Sequence, residues 1–441
     1  MVRRVFRRTR AGGAILALAL IGACGQIDLP TRGAGGMDAA SSDPARPALD
    51  ATRADGSTSE TIDTLLNRRS VLAGTGYDPI SQSVMAANSR AAEAELRAAM
   101  LRSEARSRNW LPRLGPNVSL SDMGDMVASL VVDAVLFDNG GRKAERDFAM
   151  ADVEVAAVAL AQDSNARVLT GLELYLDAEA ASARAAAIET ALGQMERYEY
   201  VMSERVAAGV DDRADLNLVR QKLAQMRSDL ASDRAVVAAA RAELAAMSAA
   251  PLDGISGLAD IRPPDANLVA LSVMKADAEA SRAEAEARAA RAGLLPSLGL
   301  RGSVDSAGNA GATLNAGSPG GIGLGLGADL RATDAVAEAA QARVGEAGEQ
   351  AQRRLAQLNA DLDRLRREAA EAQVLADQAR ANFAAFADQQ RAGLRSVPEL
   401  VGVLETRLAA ERRAVELPYQ VARVELQIAA LYGALVDGEA M

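Results

Sequence analysis

Apolar residues recur every seven positions along two long stretches of the chain. Over 142 to 206 one series is Leu174, Ala181, Ile188, Met195 and Met202, and its companion is Ala178, Ala185, Leu192, Glu199 and Val206. Glu199 is the one polar member. The following stretch repeats the pattern with Leu216, Leu223, Leu230, Val237 and Leu244, accompanied by Val219, Met226, Asp233, Ala240 and Met247. This spacing predicts two antiparallel helices in a left-handed coiled coil. At 1.5 Å per residue the first would reach about 100 Å. Ala208-Gly209 marks the crest of the hairpin, and a second crest falls at Ala392-Gly393.

Other segments follow a different period. Helical character begins near Glu60, is strong from Ile80 to Asn109, and stops at Trp110-Leu111-Pro112-Arg113-Leu114-Gly115. From Met126 to Phe137 side chains alternate, with Ala128, Leu130, Val132, Ala134 and Leu136 on one side of a strand. Ser121-Asp122-Met123-Gly124-Asp125 is the turn before it, and Asp138-Asn139-Gly140-Gly141 breaks the strand and opens the long helix. The first strand hairpin, about 114 to 137, is short for two membrane strands of roughly ten residues each. Trp110 and Phe137 are candidates for an interfacial aromatic girdle or for a junction core.

The plan then repeats. Leu111-Pro112-Arg113-Leu114 returns as Leu295-Pro296-Ser297-Leu298, 184 residues on, and Gly209 returns as Gly393 at the same offset. Ser83-Val84-Met85 has a counterpart in Ser272-Val273-Met274. An equal offset at separate landmarks identifies an internal duplication. In the second half Leu298, Leu300 and Val304 alternate with Arg301, Ser303 and Asp305, the dyad of a membrane barrel with a polar lumen. The run Gly321 to Leu330, apolar residues alternating with Gly and Asp, is expected to be the partner strand. Its spacing is not that of a phosphate-binding loop. Two hairpins give four strands, too few to close a barrel, and open edges are not tolerated in lipid, so several copies would have to share one. Pro418 lies inside a helical pattern and should kink it.

Composition narrows the function. Aromatic residues make up 3% of the chain, which suits helices packed on alanine better than several globular cores. The chain has no His, which removes His-based acid-base chemistry and most transition-metal sites, and no nucleophile motif is present, so an enzyme is not expected and no cofactor is implied. Five arginines fall within the first ten residues, followed by a short apolar run over 14 to 21 and then Ile21-Gly22-Ala23-Cys24. This reads as a secretory signal ending in a lipobox, with the only Cys at the lipidated position. Without those arginines the net charge of −10 becomes −15, and nucleic acid is excluded as a partner. Gly25, which is not Asp, matches lipoproteins sorted to the outer membrane.

With the lipobox, the two Leu-Pro-x-Leu entries, Leu136-Phe137-Asp138-Asn139-Gly140-Gly141-Arg142 and the two Ala-Gly tips, the chain resembles the TolC-like family of outer-membrane efflux and secretion channels over residues 60 to 437. The resemblance implies a mainly helical chain with a membrane β-barrel. Long antiparallel hairpins would form an α-barrel tunnel, and four strands per protomer would share a 12-stranded barrel in a homotrimer. It implies docking of Gly209 and Gly393 on a periplasmic adaptor, itself joined to an inner-membrane RND or ABC transporter. It also places Glu399 at the position of an entrance constriction, although the family's second aspartate is Gly402 here. Asp215 and Arg395 stand where the family links its entrance shut, with Gln390 replacing an expected Tyr. The same residues have a plain folding role: Ser396 with Glu399 reads as a capping box, and Asp215 and Glu399 suit the positive ends of helices.

The expected organisation is a signal peptide over 1–23, a lipidated tether over 24–58, one repeat over 59–250, a linker over 251–265 and a second repeat over 266–437. The expected function is a passive exit duct in the outer membrane, lipid-anchored and reaching into the periplasm. The alternative is a non-conducting coiled-coil lipoprotein that tethers or scaffolds the envelope.

Overall fold

Ser59 opens the helical part by accepting the Ile62 amide in its side chain, starting α1 (Glu60–Leu66). In this computed structural model the described residues are 49–440, without 54, 88–90, 121–125, 253, 266, 306–307 and 318–322. The expected signal peptide, the lipobox Cys24 and most of the expected tether lie outside them. Residues 51–53 and 55–58 of that tether are folded, with Thr52 bridged to Thr58 and Arg53 bonded to Glu154 at 2.5 Å.

Two short helices follow, α2 (Asp78–Ala86) and α3 (Ala91–Ser107), and then a hairpin of β1 (Arg113–Leu120) and β2 (Met126–Phe137). The turn out of β2 needs its sequence. Asn139 and Gly140 both have positive φ, 53° and 83°, and the Asp138 carboxylate accepts the amides of Gly140 and Arg142 at 3.2 and 2.7 Å. From there α4 (Gly141–Ala207) runs 67 residues, and α5 (Arg213–Met247) returns.

The second half consists of α6 (Leu271–Leu294), β3 (Ser297–Asp305), β4 (Ala310–Gly317), α7 (Leu326–Arg391) and α8 (Val397–Leu431), closed by a 3-10 turn at Gly438–Ala440. Arg113, Met126, Arg213 and Met247 begin or end their elements 184 residues before Ser297, Ala310, Val397 and Leu431 begin or end theirs. Helix α8 continues through Pro418.

One expectation is corrected. The second strand of the second hairpin is Ala310–Gly317, and of the run 321 to 330 the part from Leu326 onward belongs to α7. A strand at 321 would need a loop of some fifteen residues after Asp305, whereas the actual turn is short and held by Asn309. Its amide and its side-chain nitrogen both donate to the Asp305 carboxylate, each at 2.9 Å.

The four strands form one antiparallel sheet in the order β1-β2-β3-β4. The helices form a second layer four wide. Nearer the sheet the order is α3-α4-α6-α7, and further away it is α5-α4-α8-α7, so α4 and α7 run the full length. No described helix is long and apolar enough to cross a membrane.

The expected heptads form the far core: Ile188, Met195 and Met202 of α4 pack with Val219 and Met226 of α5 and with Leu400 and Leu404 of α8. Both polar members are ion-paired. Glu199 accepts from Arg220 at 2.7 Å, and Asp233 is held between Arg184 at 2.9 Å and Arg412 at 3.4 Å. Close packing on α4 uses glycine: a Cβ on Gly141, beside the sheet, would lie 3.2 Å from Ala292, and one on Gly171, further along, 2.9 Å from Val84. Leu252, Ile255, Ala259 and Ile261 close a middle core, where Tyr175 donates its hydroxyl to the Gly257 carbonyl at 2.7 Å.

Candidate functional site: the hairpin tips and the open sheet

At the first tip the Val210 amide bonds the Arg205 carbonyl at 2.9 Å, and the Gly209 amide bonds Val206 at 3.1 Å. At the second, Leu394 bonds Gln389 and Gly393 bonds Gln390, both at 2.9 Å. Each is a Schellman stop, which requires a left-handed residue, and Gly209 and Gly393 have φ of 74° and 78°. A Cβ on either glycine would meet no atom within 4 Å, so the surrounding space is open.

The residues after these glycines are a feature the sequence reading passed over. Val210 and Leu394 are equivalent at the 184 offset and are 63% and 75% exposed. In a Schellman stop this position commonly packs back on its own helix. Here both apolar side chains face solvent, and apolar identity at the repeated position was the signal that could have found them.

The two caps differ. Ser396 and Glu399 form a full capping box, with the Ser396 amide donating to Glu399 Oε2 at 2.8 Å and the Glu399 amide to Ser396 Oγ at 3.4 Å. That amide bond, with the Ser396 hydroxyl and Arg395, holds the Glu399 carboxyl below the usual carboxylate range. At the first tip Asp212 accepts the Ala214 amide at 3.1 Å. Asp215 has no hydrogen-bond or ion-pair partner among the described residues. Arg395 reaches Glu399 at 3.3 Å and Gln389 at 3.0 Å and lies over the Phe386 ring, 4.8 Å from its centroid. Within one chain, then, Arg395 and Glu399 come together, and Asp215 is not joined to either.

At the other end the sheet has two distinct faces. Cross-strand pairing puts Leu114 beside Val132, Leu130 beside Val304, Ala134 beside Leu300, and Leu300 beside Leu314, giving a continuous apolar face that is exposed. The opposite face carries Asn117, Ser129, Asp133, Arg301, Ser303, Thr313 and Asn315. Trp110 and Phe137 at its helical end are also exposed in the single chain. β1 and β4 are unpaired edges. In the helical layer the outer flanks of α3 and α5 on one side and of α7 on the other are likewise unpartnered among the described residues. Leu101 and Leu218 are exposed on α3 and α5, and Val336, Val374 and Leu375 on α7.

The architecture is therefore an open four-stranded sheet with one apolar face, continued by helical hairpins about 100 Å long. No family model matches the chain, and no curated protein matches it in sequence. Solved structures match over most of its length. The outer-membrane channel OprN covers 92% of this chain and 97% of its own at 18% identity, with a TM-score of 0.68. CusC covers 88% and 97% at 15% identity and 0.69, and the Campylobacter jejuni CmeC outer membrane channel covers 85% of each chain at 12% identity and 0.67. The chain has the fold of these outer-membrane channels, with long helices and four antiparallel strands.

Proposed function

We propose that three copies of this chain close head to tail into an outer-membrane channel that conducts substrate passively out of an efflux or secretion system. The observation that carries this reading is the pair of open edges, which occur in the same sense in both layers. The β4 and α7 side of one copy would meet the β1, α3 and α5 side of the next, an arrangement that closes a ring. Three copies give twelve strands, remove every sheet edge and turn the apolar face to lipid.

The six tips would then surround one entrance. Val210 and Leu394 beside Gly209 and Gly393 offer small apolar steps for the helices of a periplasmic adaptor, through which an inner-membrane RND or ABC transporter would supply the energy. Glu399 and Arg395 line that entrance, and Asp215, without a partner among the described residues of its own chain, is available to Arg395 once the tips are gathered. A lipid on Cys24 would anchor each copy, with 24–58 as tether and the two repeats at 59–250 and 266–437 forming the duct.

Native mass spectrometry of protein extracted from membranes tests the assembly. The expected mass is three chains, each beginning at a lipid-modified Cys24. Single chains, or chains that retain residues 1–23, would contradict it.

A further inference from the structure

The polar face of the sheet gathers its charge into one row. Register sets Arg113, Asp133, Arg301 and Thr313 side by side across the four strands. Arg301 Nε donates to Asp133 Oδ1 at 2.6 Å. Arg113 is exposed and has no carboxylate within ion-pair distance among the described residues. The neighbouring rows on that face are uncharged: Gly115, Val131, Ser303 and Gly311 on one side, and Val135, Gly299 and Asn315 on the other. The remaining acid on the described polar face is Asp305, four residues along β3 from Arg301 and so about 13 Å away, tied into the turn by Asn309. Each copy therefore carries one net positive charge in this row, at the end of the sheet nearest the helices.

We propose that this row is an anion-favouring belt inside the barrel, and that it suits the channel to substrates bearing carboxylate or phosphate groups. The inference rests on the trimeric channel proposed above. Three copies of the row place six guanidinium groups and three carboxylates around one level of the lumen. Rings of Arg or Lys are how pores favour anions. With glycine, valine and serine in the adjacent rows, the two arginines are the longest side chains there and reach furthest toward the axis. Asp133 orients Arg301 by its hydrogen bond, and Arg113 supplies the uncompensated charge. A guanidinium presents a planar fork that matches carboxylate and phosphate oxygens. Entrance acids such as Glu399 lie a helix length away, about 100 Å, far beyond a Debye length of about 8 Å at physiological salt, and do not cancel the belt.

The test is the reversal potential of the purified full-length assembly in planar bilayers under a potassium chloride gradient. Arg113→Gln is the principal variant, because Arg113 has no partner among the described residues whose loss would disturb folding, and Asp133→Asn changes the charge in the opposite sense. Arg113→Gln should lower the ratio of chloride to potassium permeability by about twofold, and Asp133→Asn should raise it by a similar factor, the scale of three charges in a wide, screened lumen. A conducting wild type whose ratio is the same in both variants overturns the belt and leaves the channel standing. A wild-type assembly that never conducts overturns the channel, and the belt with it.

Discussion

Asp233 is the most exposed weakness in the core of the long coiled coil, because it occupies a heptad position that would otherwise hold an apolar side chain. It is 5% exposed and bonds both Arg184 of α4 and Arg412 of α8. Asp233→Ala removes the carboxylate and leaves Arg184, whose side chain is 19% exposed, without a counter-charge. Arg412 keeps Asp229 at 3.2 Å, so its loss is partial. Breaking a fully buried pair costs about 3–5 kcal/mol, and the partial exposure of both arginines reduces that here to about 2 kcal/mol. Replacing the pair together, Arg184→Met with Asp233→Leu, restores an apolar heptad and should come within about 1 kcal/mol of wild type, since an apolar pair of similar volume commonly matches an ion pair. Far-UV circular dichroism during denaturation in detergent, run as a double-mutant cycle, measures both quantities. A loss below about 0.5 kcal/mol for Asp233→Ala, or a double variant as unstable as the sum of its single changes, would refute the argument.

Three other outcomes follow from the tips. Gly209→Trp and Gly393→Trp add side chains into open space at the cost of about 1–2 kcal/mol of left-handed strain each, small beside the long coiled coil, so each assembly should persist while export falls to background; normal export in both variants would contradict adaptor docking there. Arg395→Ala removes the ion pair to Glu399 and the partner proposed for Asp215, so its channel should conduct more than wild type, and unchanged conductance in bilayers would reject the entrance link. The Glu399 carboxyl is held below its ordinary value, first by the Ser396 amide, so whatever the cap and the Arg395 contact contribute is present above about pH 4.5 and is lost as pH falls through the lower folded value. Conductance should therefore be constant from about pH 5.5 to 8, and a transition inside that window, read by bilayer titration, would contradict the assignment.

Much of the architecture was legible because it repeats. Heptads fixed the long helices, since Ile188, Met195 and Met202 recur at a spacing only one packed face explains. The strand from Met126 to Phe137 showed its two faces directly. Its counterpart was harder to see. Ala310–Gly317 contains one large apolar residue, Leu314, whereas the glycine-laddered run after 321 imitates alternation. The 184-residue offset nevertheless points from Met126 to Ala310, and that arithmetic was the better guide than local pattern.

Contacts between distant segments had no comparable signal. Arg53 and Glu154 lie 101 residues apart, and nothing in the spacing around Arg53 announces that it bonds to α4. At the tips the glycines and caps were readable from local chemistry. Whether Arg395 turns toward Glu399 or Asp215 depends on which side chain lies within reach, and a one-chain structure places it on Glu399. The charged row on the sheet became visible only with register, because Arg113 and Arg301 are 188 residues apart in sequence and are brought into one row across β2.

The central claim is that the open edges of three chains close around a continuous conducting path. The direct measurement is the single-channel conductance of the purified full-length assembly in a planar bilayer. The account predicts discrete conductance steps from particles whose mass is three chains. Particles of that mass that insert and yet never conduct would contradict it and leave the chain a helical tether between membranes.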